Sequence, residues 1–153
     1  MSFSDLPVRE NGKKIYASWF NDIRTALVAA FGVGGIPEAQ FTIADNQSSY
    51  QDITGLLLDQ NVARVVDVEY TIYRTNGSST ERRERGVLHC TYKAIAAVWD
   101  YNRETLSGDD ALNVADSLIC NSSGQIQYKS DSVGGTYVGK IRYKSGITFD
   151  KET

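Results

Sequence analysis

The chain carries a single histidine, His89, two cysteines, Cys90 and Cys120, and nineteen acidic against sixteen basic residues. One imidazole excludes metal sites that need two or three histidines, and any two-histidine mechanism. His89 falls on the polar side of the alternating run GVLHCTY. If the chain reverses about Ser79 or Thr80, His89 stands opposite Glu69 or Thr71, as a surface cross-strand pair. Each cysteine sits inside an apolar strand pattern with no C-x-x-C, so both read as buried reduced thiols, with a disulfide left open should their strands adjoin.

The carboxylates Asp45, Asp52, Asp59, Asp109 and Asp110 match no calcium loop, because D-x-[DN]-x-[DN]-G is absent, and the preference of aspartate for turns accounts for most of them. Gly34-Gly35 and Gly134-Gly135 lack the lysine and Ser/Thr of a phosphate-cradling loop. The inventory assigns no catalytic, cofactor-binding or metal-ligating residue. The expectation is a protein that is not an enzyme and uses no cofactor.

Charged residues invite contact instead. The mixed-sign run ERRER at 81–85, with Arg82, Arg83 and Arg85, reads as the solvated tip of a hairpin on which a partner subunit can dock. Asp67 and Glu69 mark the solvent face of one strand, and Lys140, Arg142 and Lys144 that of another. The two stripes compensate each other if they adjoin in one sheet, and form complementary patches for subunit contact if they lie on opposite sides; a basic stripe for polyanions is the weaker third reading, because Tyr137 and Tyr143 beside it face the other way. Nine tyrosines, mostly at alternate strand positions, suit carbohydrate as well as protein surfaces.

The elements that must position these residues are mainly strands. In ARVVDVEYTIYR the residues Val66, Val68, Tyr70 and Ile72 recur every second position, and Leu88, Cys90 and Tyr92 do so after the turn-forming Asn76-Gly77. Short strands are also predicted at 41–44 and 52–58, the latter kinked at Gly55, with Asn121-Ser122-Ser123-Gly124 reversing the chain into 125–130. Residues 94–101 are predicted to continue the ribbon through Ile95, Ala97, Trp99 and Tyr101, before a turn at 106–110. Leu112, Val114, Leu118 and Cys120 are predicted to share a strand face, and 136–149 is the last strand, with Tyr137, Ile141 and Tyr143 inward.

Ahead of the strands, Trp19, Phe20, Ile23, Leu27 and Phe31 recur at helical spacing over residues 17–31, with Ser18 as N-cap and Gly32 after the end. The fold class expected is all-β, an antiparallel β-sandwich of seven or eight strands preceded by one N-terminal amphipathic helix. Residues 1–36 form the lead, helix and Gly-rich linker, and 37–153 the sandwich domain.

The composition, 41% hydrophobic and 23% charged with a net charge of -3, is that of a globular protein and speaks against an overall electrostatic grip on nucleic acid. No stretch approaches the roughly 20 apolar residues of a membrane-spanning helix, and Met1-Ser2-Phe3-Ser4-Asp5 lacks the parts of a signal peptide. Neither nucleic acid nor membrane insertion is expected.

The stretches PVRENGKKIYASWFNDIRTAL, FTIADNQSSYQDITGLLLD, ARVVDVEYTIYR, ERGVLHCTYK and SSGQIQYKSDSVGGTYVGKIRYK resemble those of a family of small tailed-bacteriophage virion proteins, described as tail-fibre-like or structural. The resemblance runs from Pro7 to Tyr143 and rests on fold-defining residues. It implies a structural subunit of the virion, assembled in the host cytoplasm, most simply a short tail-fibre or tail-appendage homotrimer, with a head decoration (cement) protein as the alternative. Its partners would be copies of itself through Trp19, Phe20, Ile23, Leu27 and Phe31, and other tail or capsid proteins. A carbohydrate-binding module for a host surface glycan is the reading from another class.

Overall fold

The computed structural model describes residues 38–149, and the predicted helix with Trp19, Phe20, Ile23, Leu27 and Phe31 lies outside them. Every regular element among the described residues is a strand. These are β1 (Ala39–Thr42), β2 (Gln47–Leu57), β3 (Val65–Thr75), β4 (Glu81–Lys93), β5 (Val98–Gly108), β6 (Leu118–Cys120), β7 (Gln125–Ser130) and β8 (Val138–Phe149). Five pair in the order β1-β8-β3-β4-β5 and three in the order β2-β7-β6. All pairings are antiparallel.

Alternation explains where the core lies. Val66, Val68, Tyr70 and Ile72 of β3 are buried with Leu88 and Cys90 of β4 and Ile141 and Tyr143 of β8. Ile53 and Leu56 of β2, Leu118 and Cys120 of β6, and Ile126 and Tyr128 of β7 join the same cluster from the three-stranded sheet. Both cysteines are free thiols within it. A hydrogen bond with Cys120, reinforced by burial, pushes the Cys90 thiol well above its ordinary range. Gly55 has a φ of 87° where the pairing of β2 with β7 shifts register, which is the predicted kink.

Several expectations need correction. The β3–β4 hairpin pairs Thr75 with Glu81 and Asp67 with His89, so its pivot lies earlier than Ser79 or Thr80. The Asn76 side-chain oxygen sets that pivot by accepting the N–H groups of Ser78, Ser79 and Thr80 at 3.1, 2.9 and 2.9 Å. The slip from the expected Glu69–His89 pairing is two residues, so no side chain changes face. Residues 81–85 therefore belong to β4, and the hairpin tip is 76–80.

The ribbon does not run through 94–97. These four residues turn the chain so that Tyr92 can pair with Trp99, leaving Ile95 exposed and Ala97 at a φ of 54°. β5 then continues to Gly108, so residues 106–108 of the predicted turn are strand. Leu112 is buried from a loop and Val114 lies in the same loop, so only Leu118 and Cys120 of their predicted face are in a strand. Tyr137 precedes β8 rather than standing inside it.

Candidate interaction face

Two buried ionic networks fix the end of the molecule nearest the hairpin tip. Arg74 continues the inward alternation of β3 and is fully buried. Its guanidinium donates to Tyr137 Oη at 3.2 Å, Ala111 O at 2.9 Å, Asp131 Oδ1 at 2.7 Å and Asp45 Oδ1 at 3.0 Å. It also donates to Leu112 O and Asp131 O. One side chain thus ties three loops to β3. Burial would raise the Asp45 carboxyl, but the N–H groups of Val133 and Gly134 and the charge of Arg74 outweigh it and hold it below its ordinary range. Asp131 is likewise held low against burial, by Arg82, Arg74 and Asn113.

The second network centres on Glu84, also buried on the inward face of β4. Tyr70 Oη donates to Glu84 Oε1 at 2.7 Å, the Ala111 N–H to Oε2 at 2.9 Å, and Arg103 to Oε1 and, at 2.9 Å, to Tyr70 Oη. Burial is the main reason the Tyr70 hydroxyl sits above its ordinary pKa. Gly86 makes room for this arrangement, since a Cβ there would lie 2.4 Å from both Tyr70 Oη and Glu104 O.

With those charges turned inward, the outward face of the five-stranded sheet carries exposed charges from β3, β4, β5 and β8. In one cross-strand row Arg142 of β8, Thr71 of β3 and Arg85 of β4 are register partners. The next row is Lys140, Tyr73 and Arg83. Arg83 lies 4.6 Å over the Tyr73 ring and bonds Glu81 at 2.8 Å. Toward the other end come Lys144 and Glu69, paired at 3.2 Å, and then Asp67 and His89. His89 Nδ1 is 2.8 Å from Asp67 Oδ1 and Nε2 is 3.3 Å from Glu104 Oε2. The bonds to Asp67 and Glu104, in that order, raise the imidazole above its ordinary pKa.

Seven of the eight charged residues singled out in the sequence therefore share one face: Asp67, Glu69, Arg83, Arg85, Lys140, Arg142 and Lys144. Arg82 does not join them. It faces inward, half-buried, with its Nη1 2.8 Å from each Asp131 carboxylate oxygen. The two stripes adjoin in one sheet, as the Glu69–Lys144 pair demonstrates, so they do not form patches on opposite sides. Arg74, Glu84 and Arg103 were missed in the sequence. Parity was the available signal for the first two, because Arg74 follows Ile72 by two positions and Glu84 precedes Leu88 by four.

Among the described residues no group of three His, Cys, Asp or Glu side chains is placed to hold a metal ion. No helix among them is long and apolar enough to cross a membrane. Fold and face together define the described residues as an all-β unit of two antiparallel sheets that displays one charged sheet surface. Comparison with protein-family models, curated proteins and solved structures finds no match.

Proposed function

We propose that the chain is a non-enzymatic structural subunit of a tailed-bacteriophage virion, a short tail-fibre or tail-appendage protein that assembles as a homotrimer. In this reading the two sheets form a sandwich, the helix over residues 17–31 supplies the oligomer contact, and the charged sheet face meets neighbouring proteins or ligands. The resemblance from Pro7 to Tyr143 supplies the class of particle. The observation that supports a scaffold role is the use of the buried ionisable groups: Arg74 and Glu84 are spent on backbone carbonyls, backbone N–H groups and each other's loops. Such fully bonded buried networks favour one rigid arrangement over a deformable one. A subunit of an assembly needs that rigidity.

The test is immunogold labelling of purified particles of the virus that encodes the chain. Label on the tail is the expected result. Label confined to the capsid would assign the chain to head decoration instead, and particles without label would overturn the reading.

A further inference from the structure

The basic end of the outward sheet face is built differently from its acidic end. Most carboxylates on that face have a cation beside them: Glu69 has Lys144, Asp67 and Glu104 share His89, Asp100 has Lys93 and Glu81 has Arg83. Glu38 is in no ion pair among the described residues, and the cations are less fully paired still. Arg85, Lys140 and Arg142 have no carboxylate partner among the described residues, and Arg142 reaches only the Gln40 side-chain oxygen, at 3.4 Å. These cations are ordered in two rows, Arg142–Thr71–Arg85 and Lys140–Tyr73–Arg83. Cations from β8 and β4 thus flank uncharged residues of β3 on both sides.

Strand spacing sets the dimensions. The backbones that carry the flanking cations stand about 10 Å apart across β3, and those of the two rows about 7 Å apart along it. Between them lies a concavity of about 520 Å³, lined by Gln40, Thr71, Tyr73, Arg83, Lys140 and Arg142. Its volume is in the range of small-ligand sites. A second hollow of about 270 Å³ adjoins it through Thr71 and Arg142 and is lined also by Arg85 and Lys144 and, at its far side, by Glu38 and Glu69.

We propose that this trough binds an acidic oligosaccharide, one whose sugar carboxylates sit between the β8 and β4 cations while its hydroxyl groups bond Thr71 and Gln40. The guanidinium fork matches a carboxylate in a bidentate fashion, which is what Arg85 and Arg142, on either side of Thr71, provide. Neighbouring hydroxyl and amide groups suit a polyhydroxylated anion better than a bare one. Nucleic acid fits less well, for two reasons. Arg83 already covers the Tyr73 ring, so no aromatic platform is left for a base. Next along the sheet Lys144 is already paired with Glu69, and His89 with Asp67 and Glu104, so a long polyanion meets no further unpaired cation there. The site therefore takes a short stretch carrying one or two charges.

This inference goes beyond the structural role and is independent of it, because it concerns the isolated chain. Calorimetric titration of the full chain with trigalacturonate at low salt tests it, with maltotriose and inorganic pyrophosphate as controls. The expected result is binding of the uronate, weakened at least tenfold in Arg85→Ala/Arg142→Ala, weakened by added salt, and absent with maltotriose. Both arginines are exposed, so the double variant is expected to melt with the parent. No uronate binding up to about 10 mM would overturn the proposal. So would binding that survives the double variant, or pyrophosphate bound as tightly as the uronate.

Discussion

At the scale of single residues, the sorting of charge decides the architecture. Arg74 lies with no exposed surface between carboxylates and loop carbonyls. Replacing it with alanine leaves Asp45 and Asp131 half-buried without their shared cation, and the expected loss is about 3–5 kcal/mol in chemical denaturation. Exposed Arg85→Ala is expected to cost no more than about 0.5 kcal/mol in the same measurement. The two arginines look alike in sequence, and only their parity within the strand separates them: Arg74 shares the face of Val66 and Ile72, Arg85 that of Val87 and His89. His89 was legible as a surface cross-strand pair, while its partner was not, because the turn fixes the register.

The same residues set the pH response. The His89 pKa is raised in the folded state by Asp67 and Glu104. Its stabilisation is present in full below the ordinary imidazole value of about 6.5 and is lost as pH rises through the raised one. Melting curves of the parent and His89→Gln are therefore expected to converge above neutrality and to separate at pH 6, the parent being the more stable. Asp45 and Asp131 act in the opposite sense, since both are held low. Their contribution is present above about pH 4 and disappears as pH falls through their lowered values.

At the scale of elements, the strands that alternate cleanly were the legible ones. Val66 to Ile72, Leu88 and Cys90, Ile126 and Tyr128, and Ile141 and Tyr143 all face the shared core. The connections were less legible, because an alanine-rich turn at 94–97 keeps the same alternation as a strand. The loop from Ala111 to Ser117 buries Ala111, Leu112 and Ser117 without strand geometry, held by Arg74, Glu84 and Arg103. Those tertiary bonds leave no local signature. Gly86 is the sharpest test of how β4 and β5 sit over Tyr70. Gly86→Ala places a methyl group against Tyr70 Oη and Glu104 O, and a loss of about 1–3 kcal/mol is expected from overpacking. An unchanged denaturation midpoint would refute that close approach.

At the scale of the molecule, buried charge builds and exposed charge is left for contact. The two antiparallel sheets share one apolar core, and the loops at the hairpin end are drawn onto it by Arg74 and Glu84. The proposed assembly places the oligomer contact in residues 17–31, so light scattering of the full chain is expected to give the mass of a trimer. Trp19→Ala/Phe20→Ala is expected to release a monomer of 16.9 kDa. The most direct measurement of the central claim is quantitative mass spectrometry of purified virus particles. The account predicts this chain at a fixed ratio to the other structural proteins, in a multiple of three copies; its absence, or a variable trace that washes away, would contradict it.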